Sequence, residues 1–507
     1  MHKPLRFLFL FALCVATGSL SAQRYTTELF TDVTVTSDVK YGENYSVLTG
    51  SPALIDLEMD IYEPVGDTDN NRQLIIMMHA GSFLPKGTNT LPFGNKRDSS
   101  LVEMCEQFAK RGWVAASIDY RLGWNPTPDA LGGDQETRAK TIIQAVYRSM
   151  QDAKTAIRFF RMDAAGANTY GIDPTRVVVG GSNSGGYVAL ACGNLNSIAE
   201  TELFKFLDSN GDSFIDVSTL GGFEGEGGNS ALNVENHPGF ASNPQLVLNL
   251  GGAAGDSSWI EAGEVPVVAF HGVADALTPY ATQDVIVAAT GDVIVEVSGS
   301  LDVIRRNQNL GNQDVFINAN FTDVYTQAAQ TKTGLEGLFP FQGALNGFEP
   351  WSWYDPNDPN ISTDSIQVAP GVKIPASGFG SAANPLATKT KALNYIDTIM
   401  NYFNPRAVEA LQNPAPLDPP LSVSEDRVRL TALAYPNPAV ENVFIYTSNA
   451  SEMIQAIRLV DLTGKQVLWE SVNNINYTLE RGDLPTGVYF VEVQLEDSVL
   501  TKKLIFK

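Results

Sequence analysis

The residues with the clearest chemical purpose are Gly181-Ser182-Asn183-Ser184-Gly185, with a further glycine at Gly186. An apolar β-branched run, Val177 to Val179, leads in, and Tyr187, Val188, Ala189 and Leu190 lead out. That is the composition of a strand, a sharp turn and a helix. Small residues around such a turn allow the strained backbone of a nucleophile elbow, G-x-S-x-G, which lifts one side chain above a sheet. A serine there attacks a carbonyl once a base takes its proton. Here the lifted residue is Asn183, with Ser182 and Ser184 one place to either side. A carboxamide has no ionisable proton and is a very poor nucleophile, so the turn has the form of an acyl-transfer site without its reagent.

A second constellation could hold a metal. Asp208, Asn210, Asp212 and Asp216 place oxygen side chains at the first, third, fifth and ninth positions of a loop, as calcium loops do. Ser213 stands where such loops carry glycine, and Thr219 where they carry a bidentate glutamate. A structural calcium ion is one expectation, and a solvated turn rich in Asp, Asn and Gly is the other. No other cofactor is expected.

The elements that must position these residues alternate along the chain. Leu74 to Met78, Trp113 to Leu122, the elbow strand, Gln245 to Leu250 and Val265 to Phe270 read as buried strands, with Val293 to Val297 expected among the last of the core. Between them lie helices around Ser100 to Arg111 and Glu136 to Arg161, the second with Ile142, Val146, Met150, Ala153, Ile157 and Phe160 on one face. Leu393 to Phe403 reads as a closing helix. The alternation implies an α/β domain with a mostly parallel central sheet and helices on both faces.

At 507 residues the chain has room for two or three domains. Its net charge of −23 argues against nucleic acid or an anionic membrane as partner. Lys3 and Arg6 precede an apolar run from Phe7 to Ala16 and then small residues, the layout of a cleaved signal peptide over residues 1–22. That run is shorter than the roughly 20 residues a membrane-spanning helix needs, and no other stretch is long enough. Beyond the signal only Cys105 and Cys192 remain, expected as free thiols on opposite faces of the sheet.

His79-Ala80-Gly81-Ser82-Phe83, Asp119-Tyr120-Arg121, Gly171-Ile172-Asp173-Pro174 and the elbow occur in the order found in the carboxylesterase and feruloyl-esterase-like branch of the α/β-hydrolases, which the region from about 35 to 405 resembles. Arg176, seven residues before the apex, and the paired glycines after it give the same register. The resemblance implies an oxyanion hole from the backbone N–H groups of Gly81 or Ser82 and of Ser184, and a catalytic acid at Asp275 in His271-Gly272-Val273-Ala274-Asp275. It also implies a histidine base after the acid. Past the signal the histidines are His79, His237 and His271, so none follows Asp275. His79 belongs to the oxyanion segment and His237 to a Gly- and Asn-rich stretch, where a surface role is a better reading than a relocated base. Phe339, Phe341, Phe348, Trp351, Trp353 and Tyr354 are expected either as a lid that stacks on sugars or aryl groups or as a local core.

Residues 24–405 are therefore expected as the hydrolase domain, 406–428 as a proline-rich linker, and 429–507 as a small all-β sandwich. Tyr435-Pro436-Asn437-Pro438, Asp461-Leu462-Thr463-Gly464-Lys465, Leu484 to Tyr489 and the final Lys502 to Lys507 are similar to the type A sorting domain of the type IX secretion system. That resemblance implies export through the outer membrane by that machinery. Three functions fit: a secreted pseudoenzyme that binds a small molecule, a glycan or a surface partner; an active carboxylic-ester hydrolase using Ser184 or Ser182 with an unrecognised base; or a structural surface protein.

Overall fold

The structure, a computed structural model, describes the chain from Arg24 onward except residues 49, 87, 90–92, 288–289, 343–348, 354–364, 370–371, 376–387, 413, 415–416, 418–431, 436, 448–452, 462–464 and 496–498. The signal peptide, Phe348, Tyr354 and most of the expected linker lie outside the described residues. Strands β1 (Val33–Ser46), β2 (Ala53–Pro64) and β3 (Arg72–Met78) open the first unit, followed by α1 (Ser99–Lys110), β4 (Val114–Ile118) and α2 (Gln135–Ala165). Next come β5 (Ile172–Ser182), α3 (Ser184–Asn194), α4 (Val217–Leu220), β6 (Leu246–Leu250), β7 (Ala253–Ala254) and β8 (Val267–Gly272). The unit continues with β9 (Gln283–Ile286), β10 (Val293–Gly299), α5 (Ser300–Asn309), α6 (Asp314–Ala319), α7 (Val324–Thr333), β11 (Leu338–Phe341) and α8 (Lys389–Gln412).

Eight strands form one sheet in the order β1-β2-β4-β3-β5-β6-β8-β11. β1, β2 and β4 pair antiparallel, and every pairing from β4 to β11 is parallel. Ile75, Met77, Val178, Leu246, Leu248 and Phe270 pack in one cluster with Leu101, Met104 and Phe108 of α1 and Ile396, Met400 and Phe403 of α8. Strand side chains alternate between faces, so these residues mark one face of the sheet. Cys105 lies in that cluster, and Cys105 and Cys192 are both buried and unpaired.

Two expectations are corrected. Val293 to Val297 is not part of the main sheet: as β10 it pairs antiparallel with β7 and β9 in a separate three-stranded sheet. The last parallel strand is β11, four residues long and interrupted by Pro340. Proline cannot donate to a ladder, and it is accommodated because β11 is an edge strand. Phe339, Phe341, Trp351 and Trp353 all belong to the core cluster, so the aromatics among the described residues are core and not lid. The start of the expected linker is also helical, since α8 runs through Pro405 to Gln412. Interior proline costs about 3 kcal/mol. Tertiary packing offsets it: Arg406 is fully buried, donates from Nε to Glu336 Oε1 at 2.7 Å and lies over the Tyr402 ring at 3.5 Å.

The chain divides into two compact units, Met1–Leu195 with Ile215–Leu421, and Asn196–Phe214 with Ser422–Lys507. The second contains a three-stranded sheet (Ala432–Tyr435, Asn442–Thr447, Asn476–Glu480) and a four-stranded sheet (Gln466–Asn474, Ile454–Asp461, Gly487–Gln494, Val499–Phe506), all antiparallel. Val443, Ile445, Leu479, Leu459, Val491 and Leu504 share one core between them. Among the described residues no helix is long and apolar enough to cross a membrane.

Removing one partner of a buried ion pair strands the other charge at a cost of about 3–5 kcal/mol. Glu336→Ala should therefore destabilise the first unit by about that much in urea unfolding, because the Arg406 guanidinium is fully buried. A loss below about 1 kcal/mol would mean that the pair does not hold α8 past Pro405.

Candidate active site

β3 and β5 are parallel neighbours with Met78 opposite Gly181, so the His79 to Phe83 loop and the elbow leave the sheet side by side. β6 and β8 end on the same edge, which is where open α/β sheets bind ligands. Tight contacts explain the glycines of the elbow. A Cβ on Gly181 would stand 2.2 Å from the Gly185 carbonyl carbon, and one on Gly185 would stand 2.3 Å from the Met78 carbonyl oxygen. Helix α3 is thereby pressed against β3 and β5, and the connecting residue must turn sharply.

That residue is Asn183, at φ 48° and ψ −110°. A positive φ at a non-glycine residue is strained, of order 1–3 kcal/mol, and persists only where the surroundings over-determine it. Here the Asn183 N–H donates to Leu250 O at 2.8 Å, and its carbonyl accepts from Gly186 and Tyr187 N–H at 2.8 and 3.1 Å. The side chain is tied as well, with Nδ2 donating to Thr278 Oγ1 at 3.0 Å. Asp275, at the acid position, accepts the backbone N–H groups of Leu277 and Thr278 on Oδ1 at 2.8 and 3.0 Å. A hydrogen-bonded series Asn183–Thr278–Asp275 thus spans the place where a triad would run.

The two flanking serines turn away from the apex. Ser184 Oγ lies 3.1 Å from Tyr120 OH, which itself donates to His79 O at 2.6 Å. Ser182 Oγ donates to Glu349 Oε1 at 2.6 Å and accepts from Trp351 Nε1 at 2.8 Å. Both serines are buried. Glu349 arrives on the segment after β11, the edge strand of the eight-stranded sheet, and its other carboxyl oxygen accepts from Ser352 Oγ at 3.1 Å.

The histidines are committed elsewhere. His271 is fully buried, with Nδ1 2.7 Å from Ser300 Oγ and Nε2 3.1 Å from Thr278 O. A carbonyl needs a donor, so Nε2 carries the proton and Nδ1 accepts from the Ser300 hydroxyl. Burial pushes its pKa down to about 4, and Nε2 is 3.8 Å from Asp275 Oδ2, too far for a hydrogen bond. His79 hydrogen-bonds Ala80 O through Nδ1 and stacks on Tyr120 at 4.3 Å. His237 Nε2 contacts Tyr41 O of β1 at 2.7 Å and its ring packs on Phe159 of α2.

Gly81, at φ 122°, and Ser82, at φ 54°, form the turn after β3. The Ser184 N–H, in the first turn of α3, has no acceptor among the described residues. The expected calcium ligands are used locally: Asp208 Oδ1 accepts the N–H groups of Asn210 and Asp212 at 2.8 and 3.0 Å, and Asp216 caps α4 through Ser218 and Thr219. Among the described residues no group of three or more His, Cys, Asp or Glu side chains is arranged to hold a metal ion.

Thr278 and Glu349 are the site residues that sequence patterns do not announce, whereas Tyr120 belongs to the Asp119-Tyr120-Arg121 motif. Thr278 lies three places after the acid, a short-range cue; Glu349 meets Ser182 across 167 positions, which only the sheet order brings together.

Residues 59–289 match the BD-FAE family and residues 433–507 the secretion system C-terminal sorting domain. The first unit is therefore an esterase-family α/β-hydrolase domain, and the C-terminal strands are a type IX sorting domain, which directs the chain to the cell surface or beyond. Arylacetamide deacetylase-like 2 of Homo sapiens is 24% identical over 149 residues, 29% of this chain and 30% of that protein's length. Among solved structures, Thermogutta terrifontis esterase 2 phosphoramylated by tabun aligns with a TM-score of 0.32 and 18% identity over 63% of this chain and 85% of that one. The propionate-bound form of the same organism's Est2 aligns with a TM-score of 0.33 and 18% identity over 67% and 93%.

Burial raises Glu349 to about 8 and Asp98 and Asp275 to about 7, with the neighbouring carboxyls adding to the effect at Glu349. A carboxyl whose folded pKa exceeds its unfolded value holds more protons when folded, so its contribution to stability is full below the unfolded pKa and is lost as pH rises through about 8 for Glu349. Glu349→Gln keeps the shape without the titration. Its stability relative to the parent should improve between pH 5 and pH 8.5 by at least about 1.4 kcal/mol, the worth of one pKa unit. A difference that does not change with pH would place the Glu349 carboxyl in water.

Proposed function

We propose that this exported esterase-family protein is a pseudoenzyme, a hydrolase fold whose elbow binds and does not turn over. The observation that carries the reading is the apex itself, where the Asn183 carboxamide donates to Thr278 and so occupies the position of a nucleophile with a group that has no proton to give up. Three further features support it. His271, next to the acid position, is buried and neutral with both nitrogens engaged; His79 and His237 are bound to main-chain carbonyls; and Asp275 holds a loop in place of a histidine.

The retained half of the chemistry is recognition. The unpartnered Ser184 N–H sits at the positive end of α3, beside the Gly81–Ser82 turn, and donors of that kind suit a carbonyl or carboxylate oxygen. A carboxylate or carbonyl on a small molecule, a modified glycan or a surface partner is the chemical class we assign to it. The runner-up is an ester hydrolase acting through Ser182, because its hydroxyl is 2.6 Å from the Glu349 carboxyl. Against it, Ser182 is only 4% exposed, and its oxygen is held between Glu349 and Trp351 without a free approach to substrate.

Serine-directed aryl phosphonates should leave the purified chain unlabelled. Asn183→Ser alone should restore little, since triad members act as a unit and an elbow with no base retains only about 10³-fold over water. Stoichiometric labelling of the unmodified chain at Ser182, lost in Ser182→Ala, would establish the runner-up.

A further inference from the structure

The elbow has a consequence for Asn183 that is independent of substrate. Viewed along the Cα–C bond of an L-residue, Cβ stands a third of a turn from the backbone nitrogen, on the side of negative ψ. At ψ −110° the nitrogen of Ser184 is therefore nearly eclipsed with the Asn183 Cβ. Ordinary strand and helix conformations hold these atoms well apart. Near-eclipse is what closing a five-membered ring through Cα, C, N, Cγ and Cβ requires.

We propose that Asn183 is a self-modification site, converted to aspartate and isoaspartate through a succinimide formed with Ser184. The Ser184 nitrogen bonds to Asn183 Cγ, the Cγ–Nδ2 bond breaks, and Nδ2 leaves as ammonia with the proton that Ser184 N gives up. Water then opens the ring, returning a proton to the nitrogen and placing its hydroxyl on Cγ, which gives aspartate, or on the main-chain carbonyl carbon, which gives isoaspartate. The reagent nitrogen is available, because the Ser184 N–H has no acceptor among the described residues. Its position in the first turn of α3 also favours loss of its proton, since the helix N-terminus stabilises negative charge.

The contacts that enforce this conformation are those already described: Gly181 against Gly185, Gly185 against Met78, and the Asn183 N–H on Leu250 O. An unfolded chain must climb into the same strained region each time the ring closes, whereas the folded elbow is held there, so folding should accelerate closure roughly tenfold or more. The aspartate product keeps the elbow and gives the apex a carboxylate. The isoaspartate product adds an atom to the main chain between β5 and α3, which the Gly181–Gly185 contact cannot absorb.

The test compares the full-length folded protein with the same protein held in urea at the same pH and temperature, by peptide mapping of residue 183 in ¹⁸O-labelled water. Conversion of Asn183 at least several-fold faster in the folded sample, with ¹⁸O at the new carboxyl, is the expected result; conversion as slow as or slower than in urea overturns the proposal. Asn183→Gln, whose closure would need a six-membered ring, should remain unconverted at 183 when folded. Because the readout is mass and not turnover, failure here leaves the pseudoenzyme reading standing, and ester turnover by the chain would leave this one standing.

Discussion

Everything at the candidate site depends on one close approach, the main chain of Gly181 against that of Gly185. With no side chain at either position, α3 can start directly on the end of β5, and the residue between them has no choice but a positive φ. The geometry is specified by backbone packing and is indifferent to what the intervening side chain is. The elbow can therefore be kept intact around asparagine, a residue that tolerates left-handed backbone better than most. Fold and side chain separate at this point: the strain that lifts a residue above the sheet is present, and the residue it lifts is a carboxamide.

The neighbourhood has closed around the substitution. Thr278 accepts the Asn183 amide, Asp275 fixes Thr278, and the segment beyond β11, from which a base would come in the Ser, acid, His order of these folds, delivers Glu349 to Ser182. The Asn183 amide, the Ser182 and Ser184 hydroxyls and both His271 nitrogens all have partners in a buried setting, where a partnerless group would cost about 1–3 kcal/mol.

Much of this was legible in the sequence. The β-branched run into a glycine-rich turn located β5, the apex and α3, and alternating periodicities identified the parallel sheet. Apolar alternation and turn signals located the C-terminal β domain. Two features were hidden for physical reasons. β11 is short and carries Pro340, so local pattern leaves lid and local core open for its aromatics, and pairing with β8 gives them their place in the core. Pro405 marked a helix end by local rules, yet burial of Arg406 on Glu336 carries α8 past it. Contacts such as Ser182 with Glu349 depend on sheet order, which no local pattern encodes.

On the proposed reading no residue at this elbow works as a nucleophile. The most direct measurement is steady-state hydrolysis of a simple aryl ester by the intact chain beside its Ser182→Ala, Ser184→Ala and Asp275→Asn variants. Equal rates in all four, no more than about 10³-fold above the uncatalysed reaction, are expected. Robust turnover by the parent, abolished by either serine substitution and reduced by Asp275→Asn, would contradict it.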